Sequence, residues 1–405
     1  MERRGQRWIL DTLTGMGGLD VLHPEAQATF ERFGYNHTDL RRVFSVPKGA
    51  LLTKSWTKTA KEVEGKAKFF ESRGFNKTAR DLYLRASILY GRAQYTFFRD
   101  DPRKTALHNK VVECYEKVIC YGDSSVERIK ISFGGKTIYG VLHLPAVKGK
   151  KIPCVLAIPG MDMFKEDWHN AAQYEYLPRG MAFLAMDGPG QGESLVNGLK
   201  VTVDNYEKAA KVVIDYLTNR PEIDPEKIAL YGLSMGSYYG ARVAGYDQRI
   251  KACVLVMGWY GSPGSTDIIF NQAQPSFKVN YMYMAGIPDE KEFDEKIAKN
   301  MGLQDIAPKI KCPILLQHAE FDELCTLEDA FVLYELIKAP KEIWVLEDEF
   351  HPLGGAIYEL FASAADWFMQ MLEGKYKPDM DRRTLISRTG AFQEGTGKPQ
   401  WWQLT

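Results

Sequence analysis

Gly232-Leu233-Ser234-Met235-Gly236 is the stretch of this chain best suited to chemistry. A serine hydroxyl is a weak nucleophile until a neighbouring base takes its proton. The run before it, Lys227-Ile228-Ala229-Leu230-Tyr231, has the length and apolar character of a buried strand, and Ser237 to Ala244 has the small residues of a helix lying close to a sheet. Strand, sharp turn and helix are the setting in which Gly-x-Ser-x-Gly forms a nucleophile elbow, with the flanking glycines relieving a crowded backbone. The helix start aims N–H groups at Ser234, where they favour developing negative charge. A tight strand–helix turn that merely carries serine has the same spacing.

Ser234 needs a base, and the chain has seven histidines. His23, His37 and His108 precede the predicted sheet and His143 lies in an early hairpin, all poor positions for the task. His351, in Glu349-Phe350-His351-Pro352-Leu353-Gly354-Gly355, falls between a late strand and the closing helix, where the chain order Ser…Asp…His puts the base. The alternative is a loop histidine capping that helix. His318 suits a supporting or structural role, and His169 is a candidate for the pocket wall. The base must be oriented by an acid. Asp322, in His318-Ala319-Glu320-Phe321-Asp322-Glu323, follows the preceding strand; Glu320 and Glu323 share its loop, and Asp348 lies near the base.

An oxyanion needs donors. The N–H of Met235, directly after the nucleophile, is one, and the loop Pro159-Gly160-Met161-Asp162 offers the other at Met161, with Gly160 allowing close backbone approach. Each such donor is commonly worth about 3 kcal/mol of transition-state stabilisation. Asp162 and Glu166 beside that loop are candidates to bind a polar substrate group, or are simply exposed acids at a helix start.

Other motifs fail their tests. Gly135-Lys136-Thr137 looks like the end of a phosphate loop, but the glycine required five places earlier is Lys130 and a hairpin follows where a helix should. Gly188-Pro189-Gly190-Gln191-Gly192 has G-x-G-x-G spacing with no clean helix start, so it is a tight loop at the carboxyl edge of the sheet and not a dinucleotide site.

The elements that must position these residues begin with helices. Residues 1–124 carry apolar and small side chains at helical spacing, as in Ala60, Val63, Ala67 and Phe70, then Leu82, Ala86, Leu89, Tyr90 and Ala93. No fixed repeat period holds, so a bundle or lid is expected. From Val126 the period changes: a hairpin around Gly134-Gly135, then alternating strands and helices, the pattern of a mostly parallel sheet. Residues 125–374 form this second unit, with strands at Cys154–Ile158, Met181–Met186, Ala252–Met257, Pro313–Gln317 and Ile343–Leu346, the last two closing the series. Residues 262–307 interrupt it as an aromatic- and methionine-rich insertion, and residues 375–405 read as an extended tail.

Lys and Arg total 52 against 52 Asp and Glu, so no global field draws nucleic acid or an anionic membrane. No apolar run approaches the roughly 20 residues that span a bilayer. The first ten residues lack the apolar core of a secretory signal. The six cysteines are scattered, with Cys154, Cys253 and Cys312 in or beside apolar runs, which suits a reducing compartment; a cytoplasmic protein is expected.

Together these residues give the chain a resemblance to the α/β-hydrolases, a mostly parallel sheet flanked by helices, here with a helical N-terminal cap. More closely, it resembles the group of the fermentation-respiration switch protein, 2,6-dihydropseudooxynicotine hydrolase and the fungal polyketide-shortening hydrolases. The features carrying this are the helical N-terminus, Asp187-Gly188-Pro189-Gly190-Gln191-Gly192-Glu193, the Ser234 elbow, and the Asp322 and His351 loops. It spans residues 50–374. The resemblance implies a serine hydrolase cleaving esters or carbon–carbon bonds beside a ketone, often homodimeric, its site between sheet and cap; a small-molecule substrate and no cofactor or metal are expected. Ala319 stands where the group often has glycine, and Pro159-Gly160-Met161 replaces the commoner His-Gly pair. For an aromatic or polyketide-like substrate, Trp259, Tyr260, Phe270 and Tyr281 are candidate pocket walls, although a packed core explains them equally well. A prolyl-oligopeptidase-like peptidase is the rival enzyme, opposed by the absence of propeller-like β repeats. A non-catalytic binding or regulatory protein on the same fold is the other alternative.

Overall fold

The structure, a computed structural model, describes residues 3–17, 21, 23–146, 149–262, 264–399 and 402. Its centre is a ten-stranded sheet in the order β1-β2-β4-β3-β5-β6-β7-β8-β9-β10. Strands β1 (Ser125–Phe133) and β2 (Lys136–Leu144) form an antiparallel hairpin. Its turn residues Gly134 and Gly135 have φ of 55° and 74°, the double positive φ that a two-residue hairpin turn with the right twist demands. Strand β2 pairs antiparallel with β4 (Ala182–Asp187), and from there β3 (Ile152–Ile158), β5 (Ile223–Leu233), β6 (Ile250–Val256), β7 (Ile314–Ala319) and β8 (Lys341–Leu346) run parallel. The central strands are buried on both faces, which is why they read as continuous apolar runs instead of alternating ones.

The series does not close at Leu346 as expected from sequence. Strand β9 (Asp381–Ile386) adds parallel to β8, and β10 (Phe392–Glu394) adds antiparallel to β9, so part of the 375–405 segment extends the sheet. The polar residues that hid these strands suit an edge, where only Leu385 is buried.

The N-terminal helices pack across one face of the sheet. Ala60, Val63 and Ala67 of the Leu52–Ser72 helix and Ala79, Ala86 and Ala93 of Asn76–Tyr95 are buried, and these small side chains let the two helices lie close. Asp101 caps the third long helix, Pro102–Cys120, through Arg103 N at 2.9 Å, with proline in the first turn. This region shares one hydrophobic core with Val155, Ala157 and Tyr231 of the sheet and with the closing helix Ile357–Leu372. Gly91 shows how tight the seam is: a Cβ there would lie 1.8 Å from Phe164 Cζ. Between β6 and β7 the insertion folds into helices that include Pro275–Ala285 and Glu290–Lys296. Among the described residues no helix is long and apolar enough to cross a membrane.

Candidate active site

Strand β5 ends at Leu233, and the Met235–Tyr246 helix starts one residue later, leaving Ser234 in the turn with φ 53° and ψ −123°. A non-glycine residue is rarely held there, and such strain clusters at functional sites. The surroundings enforce it. A Cβ on Gly232 would lie 2.6 Å from Gly236 O, and one on Gly236 would lie 2.2 Å from Ile158 O. Ser237 Oγ donates toward Gly232 O and Val256 O, each at 2.9 Å, and Ser234 N donates to Val256 O at 2.9 Å, tying the turn to β6.

The carboxyl ends of β7 and β8 bring the other two residues to the same sheet edge. Ser234 Oγ lies 3.3 Å from His351 Nε2, and His351 Nδ1 lies 2.9 Å from Asp322 Oδ2. Asp322 is itself held, its Oδ1 accepting from Leu324 N at 3.0 Å and Cys325 N at 2.7 Å. Burial works to lower the His351 pKa, but the charge and hydrogen bond of Asp322, with the charges of Glu323 and Asp162, outweigh it and hold it above its ordinary value. For Asp322 burial works upward, and His351 more than offsets it, keeping the acid ionised. The rival acids do other work: Glu320 accepts from Asp348 N at 2.8 Å and Glu323 from His351 N at 3.3 Å. His318 is buried against Cys325 O at 2.5 Å, beneath the acid loop.

Met235 directly follows Ser234, and it and Met161 both line a cavity of about 1660 Å³ whose wall also includes Ser234 and His351. Gly160 lies beside Ser234, but a Cβ there would stand 3.4 Å from Ser234 Cβ, an ordinary contact, so the space at this position does not require the glycine expected to permit close approach. Asp162 lines the cavity as well, paired with Arg92 at 2.6 Å. Its pKa is low: burial raises it, and the Arg92 charge and hydrogen bond overcome that.

The remaining predicted wall residues lie elsewhere. Glu166 sits in the turn that points into the core, fully buried, with Lys165 Nζ at 2.8 Å. Trp259, Tyr260, Phe270 and Tyr281 are also buried and off the cavity. Phe270 packs edge-on against Tyr281 and Phe293, Trp259 packs on Tyr238, and the Tyr281 hydroxyl meets that of Tyr239 at 2.7 Å. The insertion reaches the cavity through Ile269, Gln274, Phe277 and Val279 instead. His169 also lies off it, bonded to the Tyr115 hydroxyl at 2.9 Å.

The N-terminal helices supply the roof, through Phe30, Trp56 and Tyr95 among others. His23, judged poorly placed from sequence, lines the same cavity. Its Nδ1 lies 2.8 Å from Glu323 Oε1, and its ring centroid lies 6.1 Å from that of His351. Nothing local marks it, because its partner is 300 positions away. Asp322, Cys325 and His351 present potential metal-ligand atoms within 4.8 Å of one another. Burial pushes the Cys325 thiol well up, away from the thiolate a metal prefers, and Asp322 has both oxygens engaged.

The fold and this edge define an α/β-hydrolase. Residues 8–289 match the esterase FrsA-like family, and the chain belongs to it; the match includes Ser234 and stops short of Asp322 and His351. It is 26% identical over 317 residues to 2,6-dihydropseudooxynicotine hydrolase of Paenarthrobacter nicotinovorans, covering 78% of this chain and 83% of that one. It is 33% identical over 213 residues to the alpha/beta hydrolase gkaG of Penicillium citrinum, covering 50% of this chain and 49% of the relative, so it spans about half the length of that fungal protein. A crystal structure of the 2,6-dihydroxy-pseudo-oxynicotine hydrolase superposes with a TM-score of 0.76 over 88% of this chain and 99% of that one, at 24% identity, a likeness of fold.

Proposed function

We propose that the protein is a cofactor-independent serine hydrolase that cleaves an ester, or a carbon–carbon bond beside a ketone, in an aromatic or polyketide-like small molecule. The observation that carries this is the unbroken relay Ser234–His351–Asp322, with spacings of 3.3 Å and 2.9 Å, at the wall of a roofed cavity. At about 1660 Å³ the cavity exceeds the roughly 300–1,000 Å³ of ordinary ligand sites, which suits a bulky substrate. Phe30, Trp56, Tyr95 and Phe277 give it aromatic walls.

His351 takes the Ser234 proton as Oγ attacks the carbonyl, and Asp322 stabilises the resulting imidazolium. The N–H groups of Met161 and Met235 receive the oxyanion. Collapse of the tetrahedral intermediate breaks the bond to an alkoxide or a ketone-stabilised carbanion, which takes the proton from His351. A water, deprotonated by the same histidine, then releases the acid from Ser234. A cytoplasmic homodimer belongs to the same proposal: six unpaired cysteines suit the compartment, and light scattering tests the dimer.

The experiment compares p-nitrophenyl esters with aryl β-diketones, using wild type and Ser234→Ala. Turnover of either class that is lost in the variant supports the proposal and reveals the bond type. Turnover undiminished in Ser234→Ala, or inertness of both proteins toward both classes, counts against it.

A further inference from the structure

The Asp187–Glu193 loop has no part in the chemistry above, yet one of its side chains reaches the catalytic edge. Gln191 is buried, and its Nε2 donates to Pro159 O at 2.7 Å and to Gly160 O at 3.2 Å. Its Oε1 accepts from the Tyr206 hydroxyl at 2.5 Å. The partners settle the amide's orientation, because carbonyls can only accept and must therefore face the NH2 group. Tyr206 is itself clamped, stacked on Tyr239 with centroids 3.9 Å apart and pressed against Gly188, where a Cβ would lie 2.4 Å from its ring. At the other end of the loop, Asp187 accepts from Lys165 N and Glu193 N, both at 2.8 Å.

The Gly160–Met161 peptide is planar and trans, so its C=O and N–H point in opposite directions. Holding Gly160 O in place therefore sets the direction of the Met161 N–H, and Gly160 lies against Ser234. A flip of this peptide would break the Gln191 bond and the longer one that Met163 N makes to Gly160 O at 3.4 Å.

We propose that Gln191 is a positioning residue for the oxyanion site, holding the Met161 N–H toward the reacting carbonyl, with Tyr206 fixing the amide. This rests on the triad reading. The test measures kcat, KM and two inhibitors in wild type, Gln191→Leu and Tyr206→Phe, with melting temperatures as a control. One inhibitor is a trifluoromethyl ketone, whose serine adduct carries an oxyanion; the other is a ground-state amide analogue of the same shape. One oxyanion donor is worth about 10²–10³ in kcat. Gln191→Leu is expected to lose about 10²-fold in kcat and in trifluoromethyl ketone affinity, with KM and amide binding within about twofold. Tyr206→Phe is expected to show a smaller loss of the same kind, and it carries the test if the leucine variant does not fold. Unchanged kcat, or kcat and amide binding falling in parallel, overturns the proposal. Failure of the triad reading is distinguishable, because it leaves wild-type Ser234 unlabelled by a fluorophosphonate.

Discussion

Replacing Asp322 by asparagine exchanges one oxygen for one nitrogen, and the surroundings dictate which. Asp322 Oδ1 accepts from two backbone donors, Leu324 N at 3.0 Å and Cys325 N at 2.7 Å. In this buried loop an NH2 group placed there would leave those donors unpaired, at about 1–3 kcal/mol each. The carboxamide oxygen must therefore stay with the backbone, and the NH2 group must face His351 Nδ1, where the carboxylate now stands at 2.9 Å. Nδ1 is then forced to accept, and the imidazole proton moves to Nε2, the atom 3.3 Å from Ser234 Oγ. An Nε2 that already carries a proton cannot take the one from serine. The same substitution in the Ser-His-Asp triad of serine proteases costs about 10⁴ in kcat through the same tautomer error. At about 1.36 kcal/mol per tenfold that is about 5.4 kcal/mol of barrier. The assay is steady-state hydrolysis of the best ester or diketone, at matched melting temperature. The expected result is a kcat loss near 10⁴ with KM little changed, since no cavity wall moves. A loss under tenfold would refute the reasoning.

Three further outcomes are expected. The proposed mechanism needs neutral His351, so activity is expected to fall as pH drops through its raised pKa. Asp162 is one of the charges that raise it, so Asp162→Asn should move the acidic limb of kcat/KM to lower pH, and a limb that stays put or moves up would contradict the assignment. Gly91→Ala pushes a methyl to within 1.8 Å of Phe164 Cζ; overpacking of this kind costs about 1–3 kcal/mol, so calorimetry should show a lower melting temperature, and an unchanged one would mean the seam is looser than described. His23→Ala removes a cavity wall and the 2.8 Å link from roof to acid loop at Glu323, so KM should rise by more than kcat falls; kinetics with unchanged KM would deny His23 a place in binding.

The elbow and the two late loops were legible because the chemistry constrains both residue type and chain order. Ser234, Asp322 and His351 each follow a strand of one parallel sheet, so finding the strands puts their carboxyl ends on one edge. The pocket wall was far less legible. Trp259, Tyr260, Phe270 and Tyr281 have the size and polarity that suit a pocket or a core, and only packing separates the two. Asp162 and Glu166 are four residues apart, yet one faces the cavity and the other Lys165, a division made by a short turn. His23 acquires its position from a residue 300 places distant. Strands β9 and β10 were hidden because an edge strand can stay polar.

The most direct test of the central claim is reaction of the folded protein with a fluorophosphonate, read by intact mass and peptide mapping. The account predicts one adduct, on Ser234, that is abolished by Ser234→Ala and formed far more slowly in His351→Ala. A folded wild type that gains no adduct at Ser234, or a Ser234→Ala variant that labels as fast as wild type, would contradict it.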